Sequence, residues 1–174
     1  RGIILYQSKY GATKKYVDWL VEELGYDYAE TKNSKVANLL NYDVIILGGG
    51  VYASGIAGLQ FLKKNIGQLK DKKIVVFAVG ASPYDEKAIQ QVRELHFKDT
   101  LSNIPLFYCR GAWDEEKMKF VDRTLCKILQ KAVAKQNQEE YEPWQKALMC
   151  AVGQKCDWID KSYLEPLLKY IEEL

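Results

Sequence analysis

Residues 2–13 have the sequence GIILYQSKYGAT, and the rest of the fold can be worked out from this segment. Its first half is a short run of strand-forming apolar residues, which is typical of a buried β-strand. Its second half is polar and contains Gly11, which indicates a turn. Apolar residues then recur every three or four positions as far as Leu24, and Gly25 follows. The pattern predicts a helix that ends at Gly25, and hence a unit of strand, loop and helix.

The same unit is repeated along the chain. Four further strands are predicted at residues 26–30, 43–47, 73–79 and 105–109. Three further helices are predicted at residues 56–66, from Asp85 onwards, and at residues 163–174. Strands that alternate with helices pack as a parallel sheet covered on both faces, because each crossover is right-handed. The sequence therefore predicts a three-layer α/β fold, in which ligands bind at the carboxyl ends of the strands.

Composition limits the class of protein. The 174 residues are 48% hydrophobic and 28% charged, which excludes a disordered or multi-span membrane chain and favours one domain over residues 1–174. A net charge of +2 is too small for broad nucleic-acid binding. Four cysteines without a C-x-x-C pair, and a single histidine, His96, argue against a metal site. With no signal-peptide pattern, we expect a cytoplasmic protein.

The loop after the first predicted strand offers hydroxyl groups, a flexible glycine and the free amides of a helix start. Such a loop can hold a phosphate monoester without a magnesium ion. The alternative is that Ser8 or Thr13 simply caps the helix. The position of the loop at a strand end favours a phosphate site formed by Ser8, Lys9, Tyr10, Gly11, Ala12 and Thr13.

Two more loops follow strands and combine glycines with an aromatic residue. Glycine allows backbone to approach a flat ligand closely, and Tyr52 could stack on an aromatic ring. A planar ligand with a phosphate tail, such as flavin mononucleotide (FMN), fits between these loops, with Tyr10 or Trp113 shielding its other side. The predicted ring-binding residues are Gly49, Gly50, Val51, Tyr52, Ala53, Gly80, Ala81, Ser82 and Pro83.

Other cofactor and catalytic motifs fit less well. Residues 48–53 satisfy the dinucleotide pattern G-x-G-x-x-A, but no acidic residue ends the following strand to hold a ribose. The chain has no P-loop motif and no G-x-S-x-G nucleophile motif. We therefore expect the cofactor to carry the chemistry, without a catalytic side chain.

On these three loops the chain resembles the flavodoxin-like family. The resemblance implies a doubly wound sandwich with a five-stranded parallel sheet in the order 2-1-3-4-5, bound FMN, and an oxidoreductase. Within the family the chain looks most like the flavodoxin domain of bacterial menaquinone-dependent protoporphyrinogen oxidases, through the Gly-x-Val-Tyr loop, a long insertion and the pair Asp157-Trp158. That likeness implies a porphyrinogen substrate of heme biosynthesis and a quinone acceptor.

One alternative is a flavodoxin-type electron carrier that has no substrate of its own and docks on a redox protein, and another is a degenerate domain that has lost flavin and serves as an interaction module. Such carriers tend to be acidic, whereas this chain has a pI near 8.2. The partner is thus expected to be a small redox substrate or a quinone, or else a redox protein.

An insertion at about residues 113–158 precedes the last helix and is too long for a plain connection. Residues 116–136 predict an amphipathic helix with a lysine-rich face. This helix either contacts an anionic membrane surface or a quinone, or packs on the sheet with its lysines in water. A second apolar patch at residues 144–152 could cover the flavin edge, join two copies of the chain, or belong to the core. The apolar face of the helix predicted at residues 116–136 consists of Met118, Val121, Leu125, Ile128, Leu129 and Ala132.

Overall fold

The computed structural model describes residues 1–52 and 55–174, so Ala53 of the predicted site lies outside the described residues. The strands are β1 (Gly2–Gln7), β2 (Asp27–Glu30), β3 (Val44–Tyr52), β4 (Gly55–Ile56), β5 (Lys73–Gly80), β6 (Leu106–Arg110), β7 (Ala112–Asp114) and β8 (Lys155–Asp157). The α-helices are α1 (Ala12–Leu24), α2 (Val36–Leu39), α3 (Leu59–Asn65), α4 (Glu86–His96), α5 (Phe120–Ala134), α6 (Pro143–Cys150) and α7 (Glu165–Glu172). The predicted alternation of strand and helix is confirmed.

Five strands form a parallel sheet in the order β2-β1-β3-β5-β6, and β4 pairs antiparallel with the end of β3. Numbered among themselves, the parallel strands follow the order 2-1-3-4-5. The predicted doubly wound, three-layer architecture is therefore confirmed.

The sheet has a hydrophobic core on each face. Ile3 and Leu5 of β1 belong to the core beneath α3, together with Leu59 and Leu62. Ile4 points to the other face, where it joins the buried residues of α1 and α7. Because both faces are covered, the central strands are apolar at consecutive positions and lack the alternation of a half-exposed strand.

Several element boundaries differ from the sequence prediction. β3 continues to Tyr52, so the glycines expected in a loop lie within the strand. The helix predicted from residue 56 begins at Leu59, because Ile56 pairs with β3 and Gly58 is left-handed, with φ of 89°. The predicted last helix starts with a 3₁₀ turn, and α7 begins at Glu165.

The insertion leaves the sheet at the end of β6 and returns before α7. Its ends pair with each other as the antiparallel strands β7 and β8, and α5 and α6 pack together between them. The predicted amphipathic helix is therefore present as α5, over the shorter range Phe120–Ala134. Within the part of the chain that the structure describes, no helix combines the length and hydropathy that a bilayer crossing requires.

Candidate cofactor site

The three predicted loops meet at one edge of the sheet because the strands before them are hydrogen-bonded neighbours. Gln7 at the end of β1 lies beside Gly49 of β3, and Gly80 at the end of β5 lies beside Arg110 of β6. This is the carboxyl edge, where doubly wound folds bind their ligands. His96, at the far end of α4, is remote from it, as predicted.

The first loop turns sharply into α1. Gly11 has a φ of 95°, a left-handed conformation that glycine adopts without strain, and its amide donates to Ser8 Oγ at 3.2 Å. Gly11 is the N-cap residue of α1 and has no side chain that could bond the first turn. That turn contains no acidic residue. The amides at the start of α1 are therefore available to an anion, and the positive end of the helix dipole favours one.

Thr13 lies in the first turn of α1 and is 3% exposed. A threonine so close to the helix start can present its hydroxyl in the direction of the free amides. Hydroxyl and amide donors together suit the oxygens of a phosphate monoester. Of the predicted phosphate residues, Ser8 and Gly11 are hydrogen-bonded to each other, and Thr13 follows them in the first turn of α1.

Lys9 and Tyr10 point to the insertion. Lys9 Nζ lies 2.6 Å from a carboxylate oxygen of Asp122 in α5, and the Tyr10 hydroxyl also donates to this carboxylate. The backbone amide of Lys119 donates to the Tyr10 hydroxyl at 3.3 Å. The hydrogen bonds from Lys9 and Tyr10 lower the pKa of Asp122, and the bond to Asp122 raises the pKa of Lys9. Asp122 therefore ties the first loop to α5.

The second loop differs from the prediction in the role of its glycines. A Cβ on Gly49 would lie 1.8 Å from the carbonyl oxygen of Ala57, and one on Gly50 would lie 2.8 Å from the Tyr52 hydroxyl. A Cβ on Gly49 would meet backbone, so Gly49 is needed for close packing of the chain on itself, whereas a Cβ on Gly50 would meet only the side chain of Tyr52, which can move. That the two glycines leave room for a flat ligand and contact a cofactor stays a prediction.

Tyr52 is the exposed aromatic residue of this loop. Its ring folds back over Gly50, and Lys9 Nζ lies 5.6 Å from the ring centre. Burial of the Tyr52 hydroxyl raises its pKa above the ordinary value for tyrosine. The Lys9 ammonium also lies 5.8 Å from the Tyr10 ring centre. Tyr10, Lys9 and Tyr52 thus form one aromatic and cationic cluster between the first and second loops.

The third loop is held in place by β6. The Tyr108 hydroxyl donates to the carbonyl of Ser82 at 2.6 Å, and Arg110 Nε donates to the carbonyl of Ala81 at 2.9 Å. The Arg110 guanidinium also lies 3.9 Å from the ring centre of Trp158. Because two carbonyls of the loop are bound from beneath, its remaining backbone groups are held in a fixed orientation.

A buried tyrosine supports this arrangement from below. The Tyr16 hydroxyl donates to the carbonyl of Arg110 at 2.5 Å and accepts from the amide of Asp160 at 3.2 Å. Burial raises the pKa of Tyr16, so the hydroxyl is neutral and can make both bonds. These bonds join α1, β6 and the segment before α7.

Sequence reasoning missed Arg110 and Asp122 as residues of the site. Arg110 directly follows a predicted strand, and this position at a strand end could have identified it. Asp122 is far from the first loop in sequence, and helical periodicity does not reveal which residues of a helix contact a distant loop. Trp113, a predicted ring-shielding residue, lies in β7 with its indole Nε1 buried and without a partner among the described residues.

The Flavodoxin domain model matches residues 3–140, which is most of the chain. The chain belongs to the flavodoxin domain family. This flavodoxin-family chain has no match among curated proteins. The family is therefore established by the domain match, and the fold and the loop geometry agree with it.

Solved structures similar to this flavodoxin-family chain include three flavodoxin-like proteins. One is the Trp repressor binding protein from Bacillus subtilis, with 16% identity, a TM-score of 0.49, and coverage of 64% of this chain and 85% of that one. Another is the two-electron reduced flavodoxin of Megasphaera elsdenii, with 22% identity, a TM-score of 0.47, and coverage of 62% and 85%. The third is a flavoprotein in complex with FMN from Lactobacillus acidophilus NCFM, with 19% identity, a TM-score of 0.42, and coverage of 63% and 91%.

Proposed function

We propose that this protein binds FMN at the carboxyl edge of the sheet and acts as an oxidoreductase with a quinone as electron acceptor. The observation that carries the proposal is the start of α1, where the first helical turn offers free amides and contains no acidic residue, with Ser8 just before it and the buried Thr13 within it. Membership of the flavodoxin family supports FMN as the ligand.

The residues of the first loop fit the phosphate of FMN. The helix start supplies backbone donors and a partial positive charge, and Ser8 and Thr13 supply hydroxyls. Lys9 lies next to this set, and its ammonium is already paired with Asp122. In this proposal Lys9 contributes its positive charge near the phosphate while Asp122 keeps it in position.

The remaining two loops are proposed to hold the flavin ring. Tyr52 offers an exposed aromatic face, and the third loop offers backbone groups fixed by Tyr108 and Arg110. FMN, when bound, would supply the redox chemistry, in which a donor gives two electrons and a quinone takes up two electrons and two protons to become a quinol. The protein contributes binding, orientation and hydrogen bonds that adjust the reduction potential.

Binding is tested by titrating the purified protein with FMN and following flavin absorbance and fluorescence. The variant Thr13→Val removes one hydrogen bond to a charged ligand and is expected to weaken FMN by about 1.5–3 kcal/mol. Thr100→Val is the matched control, since Thr100 is exposed and lies before β6, at the opposite edge of the sheet. Equal FMN affinity of Thr13→Val and wild type would contradict the assignment of Thr13.

The reaction class is tested by mixing the photoreduced, FMN-loaded protein with a water-soluble quinone in a stopped-flow instrument. Rapid oxidation of the flavin with formation of quinol is expected. The rival is an electron carrier, which the family match also favours. Slow reaction with quinones, combined with fast reaction with a redox protein such as a cytochrome, would establish the carrier instead.

A narrower form of the proposal names a porphyrinogen as the electron donor. It is supported by sequence features alone: the Gly-x-Val-Tyr loop, the insertion, and the pair Asp157-Trp158. Anaerobic incubation of the FMN-loaded protein with protoporphyrinogen and excess quinone is expected to produce porphyrin fluorescence. Quinol formation with a chemical reductant, but no porphyrin fluorescence with protoporphyrinogen, would support the proposed quinone reduction and contradict a porphyrinogen as the electron donor.

A further inference from the structure

Helix α5 exposes an apolar stripe that nothing in the described chain covers. The exposed fractions are 81% for Phe120, 65% for Val121, 59% for Leu125, 59% for Ile128 and 43% for Leu129. Single exposed apolar residues are ordinary, but a contiguous stripe on one helix marks a binding surface. The expectation that this face packs on the sheet is therefore not met in the structure.

Lysines border this stripe on one side. Lys127, Lys131 and Lys135 are all exposed and recur every fourth residue, so they form a row along the helix. Lys131 follows Ile128 by three residues, which places the row directly beside the apolar stripe. Asp122 is the acidic residue of α5, and its carboxylate is already engaged by Lys9 and Tyr10. The exposed part of α5 is thus apolar and cationic.

We propose that this face of α5 docks onto a bilayer that contains anionic phospholipid. An aliphatic and phenylalanine stripe beside a lysine row is the pattern of helices that lie in the membrane interface. Lysine is depleted at protein interfaces, and leucine and valine are under-represented among their strongest contacts, so the lysine row and the aliphatic members of the stripe favour lipid over a protein partner. Each lysine near an anionic surface adds attraction, and its alkyl stem can lie along the acyl region.

The dimensions fit a helix that lies flat on the surface. The 15 residues of α5 span about 22 Å, shorter than the ~30 Å hydrocarbon core that a spanning helix must cross. Asp122 connects the first turn of α5 to Lys9 and Tyr10, so the docked face would border the proposed cofactor site. The docking itself rests on the helix surface alone and does not require FMN.

The test is flotation of the full chain with vesicles of phosphatidylcholine alone or with one third phosphatidylglycerol. We expect binding to the anionic vesicles that weakens as salt is raised from 50 to 500 mM, and little binding to the neutral vesicles. The double variant Leu125→Ser with Ile128→Ser is expected to lose at least tenfold in partitioning. Both positions are exposed, so the fold is expected to survive, which circular dichroism checks.

Two further variants distinguish an effect of the lysines on α5 from an effect of the protein's overall charge. Lys127→Glu with Lys131→Glu is expected to lose at least tenfold on anionic vesicles. Lys63→Glu with Lys64→Glu makes the same charge change on exposed positions of α3 and is expected to bind as wild type does. Equal losses in the two lysine variants would overturn the proposal.

A second copy of the chain is the other occupant that the stripe could take. Light scattering of wild type and of the Leu125→Ser, Ile128→Ser variant distinguishes the two cases. A monomer in both supports lipid docking when vesicle binding is present. A wild-type dimer that the variant loses, without any vesicle binding, would replace the proposal with a homodimer.

Discussion

Helices α1 and α5 share an amphipathic pattern but lie in different surroundings. Both are amphipathic and of similar length, 13 and 15 residues. α1 buries Tyr16, Val17 and Leu20 against the sheet, whereas α5 buries only Val133 among its apolar residues. The difference teaches that helical periodicity identifies an apolar face but does not say what covers that face.

The sheet explains why α1 is covered. β1 runs directly into it through the tight turn at Gly11, so α1 must fold back over strands that are apolar on both faces. α5 follows the short strand β7 and makes its main helix contact with α6, and the bond between Asp122 and Tyr10 ties its first turn to the first loop. Four predictions test how far this contrast between sheet domain and insertion extends.

The largest expected effect comes from removing a leucine from each helix. Leu20→Ala removes a fully buried side chain of α1 and is expected to lower the free energy of unfolding by about 2–5 kcal/mol. Leu125→Ala removes a largely exposed side chain of α5 and is expected to change the free energy of unfolding by no more than about 0.5 kcal/mol. Urea denaturation followed by tryptophan fluorescence measures both, and a similar cost for the two variants would show that α5 is buried in solution.

Two glycines give the next contrast. Gly49→Ala in β3 would place a Cβ 1.8 Å from the Ala57 carbonyl oxygen. Because the backbone must move to relieve this contact, we expect the free energy of unfolding to fall by about 3 kcal/mol. Gly153 in the insertion has a φ of 69° and open space around it, so Gly153→Ala is expected to cost about 1 kcal/mol from backbone strain alone. Thermal unfolding of both variants checks the order. A larger loss for Gly153→Ala would mean that the insertion packs more tightly than the sheet.

The third prediction concerns the connection between the two regions. Tyr10→Phe removes the hydroxyl that donates to Asp122 and accepts from the Lys119 amide, and is expected to cost about 1 kcal/mol. Hydrogen exchange should become faster in residues 119–123 and stay unchanged in β3. Tyr84→Phe is the control, because Tyr84 is exposed on the third loop. Unchanged exchange in the first turn of α5 would mean that Tyr10 does not hold the insertion.

The sequence was most informative where local pattern and burial coincide. Strands β1, β3 and β5 are apolar runs, and Gly11 and Gly25 mark the ends of α1, so these elements and the turn between β1 and α1 could be predicted. Chain crossings could not be predicted in this way. The contact of Gly49 with Ala57, the pairing of β7 with β8, and the bond from Asp122 to Lys9 each depend on residues that come together only in the folded chain.

The smallest perturbation is chemical labelling, which compares the two regions without a mutation. Cys109 lies in β6 with no exposed surface, and burial raises its pKa to about 12, so its reactive thiolate is scarce at pH 8. Cys150 in α6 is exposed. With iodoacetamide and peptide mass spectrometry, Cys150 is expected to be modified within minutes and Cys109 only after guanidinium is added. Equal labelling rates in the folded protein would show instead that the edge of the sheet at β6 opens as readily as the insertion.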